Sequence, residues 1–345
     1  MKPEPIVVTR KLFSELTEFE ISRWKQLHEN DTRGKWAFLS PKFSEAINAC
    51  VVDVHVLVLS RGSRIDGYMA IQRSAGLLGF LGLFEPAGFP MCDYFGLVAE
   101  PDLKVSWEIL LSGAKVPCLF FSHLDQEQLQ LGLTGGQPRV GHRTRVGPDG
   151  RACWEQFKKT DRELVKDVDR RYRKLEKERG LISFEMEAAS PDDALRTLLH
   201  WKSSQYLRTG QFGGVLLQKH YVDALLYFST HKSKDAYPVL SVLRCGGKIV
   251  AAHYGLLSGG VLHRWFPSYD PEYANYSPGK ILYKEMLLNS KELGINCIDR
   301  GDGDSMAKRD FATEEHFYYK GLVHVGFRGA LVALMRRIFW KLKIA

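Results

Sequence analysis

Tyr276-Ser277-Pro278-Gly279-Lys280 places five chemically distinct residues at one predicted helix start. Ser277 is expected to cap the helix, and Pro278 suits the first helical position because its missing N–H would be unpaired there anyway. Gly279 removes a side chain where the backbone would approach a ligand, and Lys280 adds a full charge. Amides at such a start point outward with the positive end of the helix dipole and make an anion site. Ser277, Pro278, Gly279 and Lys280 are therefore the candidate cofactor-binding residues, and a merely well-capped helix is the alternative. The corresponding entry in the first half, Ala99-Glu100-Pro101-Asp102, is acidic, which places any cofactor in the second half.

Acid–base candidates surround this start in the chain. His253 lies on the strand Ile249 to Leu256 among small and apolar neighbours. There it is either a general base near neutral pH or a core histidine with a satisfied hydrogen bond. Asp299 ends a later strand, and Asp304 and Lys308 follow in a Gly-rich loop. These three either bind an acceptor and relay a proton or form a loop salt bridge. Trp265 shares a strand face with His263 by alternation, so it lines an acyl or sugar pocket or packs the core. Six scattered cysteines, with no C-x-x-C pair and no histidine at metal spacing, lead to no expected disulfide and no expected metal.

The elements that must position these residues form an α/β pattern read twice. In the first half, Val51 to Leu59 and Arg64 to Gln72 read as strands, with Leu77 to Phe84 as a third. A helix over Leu103 to Ala114 and a strand from Cys118 to Phe121 follow. Residues 132–151 read as a linker or surface hairpin, and a long helix is expected from Cys153 to Gly180. That helix carries the pairs Asp167 with Arg171 and Asp169 with Arg173, four residues apart. In the second half, Gly246-Gly247 and Ser258-Gly259-Gly260 separate three meander strands, Val239 to Arg244, Lys248 to Leu257 and Val261 to Phe266. A helix from Pro278 to about Leu293, ended by Gly294, leads to a strand over Ile295 to Asp299.

At this point the sequence resembles a known family. Trp265-Phe266-Pro267, Tyr269-Asp270-Pro271 and Ser277-Pro278-Gly279 are similar to the CelD/BcsL-like acetyltransferases of the GNAT superfamily, associated with bacterial cellulose and exopolysaccharide synthesis. The family's Asp-Leu-Gly-x-Gly-Asp-x-x-Tyr-Lys becomes Asp299-Arg300-Gly301-Asp302-Gly303-Asp304-Ser305-Met306-Ala307-Lys308, with Arg300 for Leu and Ala307 for Tyr. Trp201 to Gly210 and Asp93-Tyr94 also fit the pattern. The resemblance implies two tandem GNAT-like domains with mixed, largely antiparallel sheets and a long connecting helix, similar to the Fem peptidyltransferases. It implies a GNAT-like domain over residues 1–150 without cofactor, the helix over 151–180, an acyltransferase domain over 181–325 and a terminal helix over 326–345. It further implies acyl-CoA, acetyl-CoA first, as co-substrate, a sugar or amino-sugar acceptor, and a substrate pocket with Trp265 and Tyr269.

Bulk properties narrow the partners. The net charge is +8, and the segment Lys158 to Arg179, with ten basic and six acidic residues, contributes half of it. That charge is a solvated helix face or a surface for an anionic partner. The tail Phe327 to Ile344 alternates Phe327, Leu331, Leu334, Ile338 and Leu342 with Arg328, Arg336, Arg337, Lys341 and Lys343. Such a helix lies on an anionic membrane or docks on its own domain or a partner. The start of the chain shows no apolar run to act as a secretory signal, so a cytoplasmic location, with peripheral membrane contact, is expected. Two other functions compete with acyl-CoA transfer: a Fem-like transfer from aminoacyl-tRNA, and an adaptor that keeps the scaffold without catalysis.

Overall fold

Thirteen strands and eleven α-helices make up a computed structural model that describes residues 4–210 and 214–342. The strands are β1 (Ile6–Leu12), β2 (Val54–Arg61), β3 (Arg64–Arg73), β4 (Leu83–Pro86), β5 (Val98–Ala99), β6 (Cys118–Asp125), β7 (Gln137–Arg145), β8 (Ile182–Glu185), β9 (Tyr237–Cys245), β10 (Lys248–Ser258), β11 (Val261–Tyr269), β12 (Cys297–Asp302) and β13 (Glu314–His324). The helices are α1 (Glu18–Asn30), α2 (Pro41–Cys50), α3 (Gly76–Leu81), α4 (Trp107–Gly113), α5 (Gly150–Thr160), α6 (Arg162–Arg179), α7 (Pro191–Arg208), α8 (Lys219–Thr230), α9 (Pro278–Leu288), α10 (Met306–Arg309) and α11 (Gly326–Leu342). The chain divides into two units. One comprises the described parts of Met1–Val140, Asp223–Tyr227 and Phe317–Ala345, and the other Gly141–Val222 and Phe228–His316.

Both units build the same sheet. In the first, β1, β2, β3 and β4 pair antiparallel in order, β4 pairs parallel with β6, and β6 pairs antiparallel with β13. In the second, β8, β9, β10 and β11 pair antiparallel, β11 pairs parallel with β12, and β12 pairs antiparallel with β7. One parallel step, served by α4 or α9 as the crossover helix, recurs at the same place in each. The sixth strand of the first sheet follows the second unit in sequence, and the sixth of the second sheet precedes that unit.

Local chemistry fixes the meander. Cys245 pairs with Lys248 across Gly246-Gly247, and Ser258 with Val261 across Gly259-Gly260. All four glycines have positive φ, from 53° to 81°. Two-residue hairpins of this kind need left-handed backbone at both central positions, which glycine adopts without a Cβ clash. Against one face of the second sheet, α5, α6 and α9 bury Trp154, Phe157, Val168, Leu175, Ile281, Leu282 and Met286. Helix α7 packs on β10 and β11.

The structure departs from the sequence reading in several places. The stretch Leu77 to Phe84 is a short helix, α3, that ends on left-handed Gly82 and only then enters β4. Helix α4 starts four residues later than expected, where the Ser106 hydroxyl accepts the Ile109 N–H at 3.3 Å. The supposed linker holds strand β7. The long helix breaks at Asp161, whose carboxylate accepts the Leu164 N–H at 3.2 Å and so starts α6. Asp167 pairs with Arg171 as expected, but the Asp169 carboxylate turns to Lys284 on α9 at 2.8 Å. Helix α9 stops at Leu288, and a separate turn carries the chain to left-handed Gly294. In α11, Val332 and Ala333 are buried while Phe327, Leu331, Leu334 and Ile338 are exposed. Lys343 and Ile344 lie outside the described residues, as do the side chains of Lys341 and Leu342.

Candidate functional site

The parallel pair β11–β12 runs for only three rungs, Val261 to His263 against Cys297 to Asp299, and then forks. The fork is clamped at its root. Asp299 is fully buried, with His263 Nδ1 2.5 Å from Oδ2, the Arg143 Nε donating to Oδ1 at 3.2 Å and the Gly301 N–H donating to Oδ2 at 3.2 Å. Asp299 therefore positions the fork, with all its acceptor capacity turned inward. The first residue past the root on each arm is an arginine, Arg264 on β11 and Arg300 on β12.

A cavity of about 690 Å³ opens in this fork. Its walls are one face of α7 (Trp201, Lys202, Gln205, Arg208), residues of the freed length of β11 (Arg264, Pro267, Ser268, Tyr269), the start of α9 (Ser277, Gly279, Lys280, Tyr283), and Arg300, Ala307, Asp310 and Phe311. The α7 residues recur at one, four and seven positions from Trp201, which keeps them on a single face while Ala194, Leu195 and Leu198 are buried. Five cations and one carboxylate line the space. That carboxylate, Asp310, is taken by Lys280 at 3.0 Å.

Lys202, Arg264 and Arg300 bear the mark of burial. Desolvation, and then the Arg264 charge, push the Lys202 ammonium down to about 8. Arg264 is itself lowered by burial and by Arg300, and Arg300 is lowered by burial. The two guanidinium carbons lie 5.4 and 4.6 Å from the centroid of the Tyr283 ring, which stacks on Phe311 at 4.9 Å. Cation–π contact of this kind offsets part of the desolvation of each arginine. The Tyr283 hydroxyl is engaged with Thr144, whose own hydroxyl also donates to the Phe311 carbonyl at 2.6 Å.

The candidate residues sort clearly against this cavity. Ser277, Gly279, Lys280 and Tyr269 line it, and Pro278 is buried in the first turn of α9. Ser277 occupies the N-cap position with left-handed backbone (φ 49°), and its hydroxyl makes no cap bond, contrary to expectation. A Cβ on Gly279 would meet only Tyr269 Cδ1, at 3.8 Å, so this position faces open space. His253 does not line the cavity. It is completely buried, neither ring nitrogen has a partner, and burial with the Arg264 and His263 charges holds it well below its usual range. Trp265 packs on Phe266 at 4.7 Å and lies outside the cavity wall. Asp304 is exposed, paired with Arg309 and with His142, which hold its carboxyl well below the usual range. Lys308 donates to the Asp302 carbonyl. Lys202, Arg264 and Arg300 were not among the expected site residues. Arg300 was visible in the sequence only as a departure from the family pattern, and Arg264 as a charge inside an otherwise apolar strand. The first unit offers a void of about 10 Å³ among Trp24, Phe38, Tyr68 and Tyr94, no larger than a water. Among the described residues, no group of histidine, cysteine and carboxylate side chains could hold a metal.

Residues 162–312, which contain the whole cavity lining, match a family model described as the acetyltransferase (GNAT) domain. Among solved structures, FemX is similar with a TM-score of 0.61 and 11% identity over 94% of this chain and 99% of that chain. The C-terminal domain (DUF2156) of a putative lysylphosphatidylglycerol synthetase from Agrobacterium fabrum has a TM-score of 0.56 and 12% identity, covering 91% and 94%. A conserved protein of unknown function from Bacteroides thetaiotaomicron has 0.52 and 12%, covering 89% and 98%. At such identities the likeness is one of fold. No curated protein sequence matches the chain. Sheet topology and the likeness of fold define a two-domain GNAT-like architecture, and the second unit carries the residues that match the acetyltransferase (GNAT) domain model.

Proposed function

We propose that this chain transfers an acyl group, acetyl first among the candidates, from acyl-CoA to a sugar or amino-sugar acceptor in exopolysaccharide or cell-surface polysaccharide synthesis. The observation that carries the donor half is the open Gly279 position at the start of α9, on the wall of a cavity with five cations and one paired carboxylate. The donor phosphates sit against the α9 amides and Lys280. The thioester arm runs along β11, where the backbone past His263 has no ladder partner on the β12 side. The sugar acceptor rests on the resemblance to the CelD/BcsL-like family.

Lys202 is the proposed base. Its amine, lowered to about 8, is the one cavity amine so placed to accept a proton near neutral pH. The acceptor nitrogen or oxygen attacks the thioester carbonyl, Lys202 takes the acceptor's proton, and the ammonium returns it to the departing thiolate. Ala307 stands on the wall where the family has tyrosine, so the thiolate proton must come from elsewhere, and Lys202 supplies it. Asp299 keeps a positioning role. The test is CoA release from acetyl-CoA with a panel of amino sugars. Lys202→Met should abolish transfer while leaving acetyl-CoA binding intact, and retained transfer would remove Lys202 from the mechanism.

Two further parts of the reading have their own supports. Helix α6 exposes Arg162, Lys166, Arg170, Arg173, Lys174 and Lys177, which favours an aminoacyl-tRNA donor as the second reading. Binding of tRNA that weakens steeply with salt, with no response to acyl-CoA, would select it. Helix α11 and the adjacent α3 expose Leu77, Phe80, Phe327, Leu331, Leu334 and Ile338 and carry no acidic residue, which favours peripheral contact with an anionic membrane. Among the described residues no helix is long and apolar enough to cross a membrane.

A further inference from the structure

Two of the five cavity cations stand apart from the donor end. Arg264 has no hydrogen-bond acceptor among the described residues, its Nε is buried without a partner, and its guanidinium lies over the face of Tyr283. Arg300 spends two of its nitrogens on the Asp310 and Ala307 carbonyls and leaves its own buried Nε unpartnered. Neither forms an ion pair with a carboxylate among the described residues. The nearby acids are already committed, Asp299 to His263 and Arg143, and Asp310 to Lys280. The remaining titratable neighbours, Lys202 and His253, are a cation and a buried imidazole held neutral. Arg264 has no counter-charge, Arg300 feels only the Asp310 carboxylate that Lys280 already holds, and each keeps a buried Nε without a partner. The pair therefore forms an incomplete site, because a charge withdrawn from water persists only when paired or hydrogen-bonded.

The position separates this pair from the phosphates of the donor. Tyr269 touches the Gly279 end of the cavity, and Arg264 lies five residues back along β11, about 17 Å at the rise of a strand. Arginine donors fit a carboxylate or phosphate in two-point geometry.

We propose that the acceptor of this acyltransferase carries a compact oxyanion, a carboxylate or phosphate, which Arg264 and Arg300 bind at the fork of β11 and β12. The assignment to the acceptor rests on the acyl-CoA reading above; the oxyanion site itself does not. Binding there would fix the acceptor's orientation beside Lys202 and exclude its neutral analogues, since they would leave both guanidiniums unpaired.

The test follows thermal unfolding of the full chain and its Arg264→Gln, Arg264→Lys and Gly279→Trp variants, titrated separately with inorganic phosphate, acetate and acetyl-CoA. Phosphate or acetate should raise the melting temperature of the parent and of Gly279→Trp saturably. Arg264→Gln should weaken that anion roughly tenfold or more, the loss expected for charged hydrogen bonds, and weaken acetyl-CoA by less than roughly threefold. Ligand-free Arg264→Gln should melt about 2–4 °C above the parent, because an uncompensated buried charge is gone. A purely structural arginine would give the opposite shift. Arg264→Lys, which keeps the charge and loses the fork, should fall between the two and serves if the glutamine variant does not fold. Anion binding that vanishes in Gly279→Trp but survives in Arg264→Gln would move the anion to the helix start and overturn the proposal. So would an equal loss of acetyl-CoA in Arg264→Gln, or no response to either anion. If acetyl-CoA fails on the parent while phosphate binding depends on Arg264, the donor reading falls and the oxyanion site stands.

Discussion

Lys202 and Asp299 illustrate two ways in which a residue serves this cavity. Lys202 faces the space, and burial beside Arg264 makes its amine available at about pH 8. With a chosen amine acceptor, kcat/KM should therefore rise with pH and level off above about 8, because the neutral amine is the active form. In Arg264→Gln the rise should move to higher pH, since removing a neighbouring positive charge lets Lys202 keep its proton longer. A pH profile unchanged in that variant would remove the coupling. Asp299 faces inward, and Asp299→Ala would take a buried carboxylate from both Arg143 and His263 and open the fork. Urea unfolding should record a loss of about 3–5 kcal/mol, the range for breaking a buried ion pair. Asp304→Ala, at an exposed site, should destabilise far less. Ser277, Gly279, Lys280 and Tyr269, singled out by residue type and resemblance, all line the cavity. Arg264, Arg300 and Lys202 were not singled out. Whether a strand arginine is paired depends on the fork, which is a tertiary event with no local signal.

Among the elements, those with strong local chemistry follow the sequence most closely. Strands β9, β10 and β11 are set by glycine pairs whose left-handed conformation admits one turn type. Helix α9 is announced by Pro278. The failures have equally physical origins. Segment Gly76–Leu81 is apolar enough to read as a strand, yet its positive-φ glycines at both ends let it close as one helical turn with Leu77 and Phe80 exposed. Strand β7 hides in a Gly- and Arg-rich stretch because its partner, β12, lies over 150 residues away. Helix α11 yields a prediction at this scale. Vesicles containing anionic lipid should co-sediment the protein and shift Trp340 fluorescence to the blue, and neutral vesicles should do so weakly. Phe327→Ser with Leu331→Ser should abolish the effect. Equal binding to neutral and anionic vesicles would contradict a role for Arg328, Arg336 and Arg337.

For the molecule as a whole, the chain's path matters more than either sheet alone. Each unit's sheet ends on a strand drawn from beyond the sequence of its other strands, β13 for the first unit and β7 for the second. The sequence displayed the repeated outline but not this exchange, since a strand's partner cannot be read from its own residues. A fragment ending at Gly150 therefore lacks β13 and leaves the edge of β6 unpaired, which promotes edge-to-edge association. Size-exclusion chromatography should find it aggregated where the full chain is not. A soluble, monomeric fragment with native β-structure would contradict the argument.

Calorimetric titration of the full chain with acetyl-CoA asks whether an acyl-CoA occupies the fork with its phosphates at the start of α9. Gly279→Trp is the matched control, because its backbone is not left-handed and a Cβ there meets only ordinary contact with Tyr269. Saturable one-to-one binding is expected of the parent and is expected to be lost in Gly279→Trp although that variant melts as the parent does. Binding undisturbed by the indole, or no binding of any acyl-CoA by the parent, would contradict that placement.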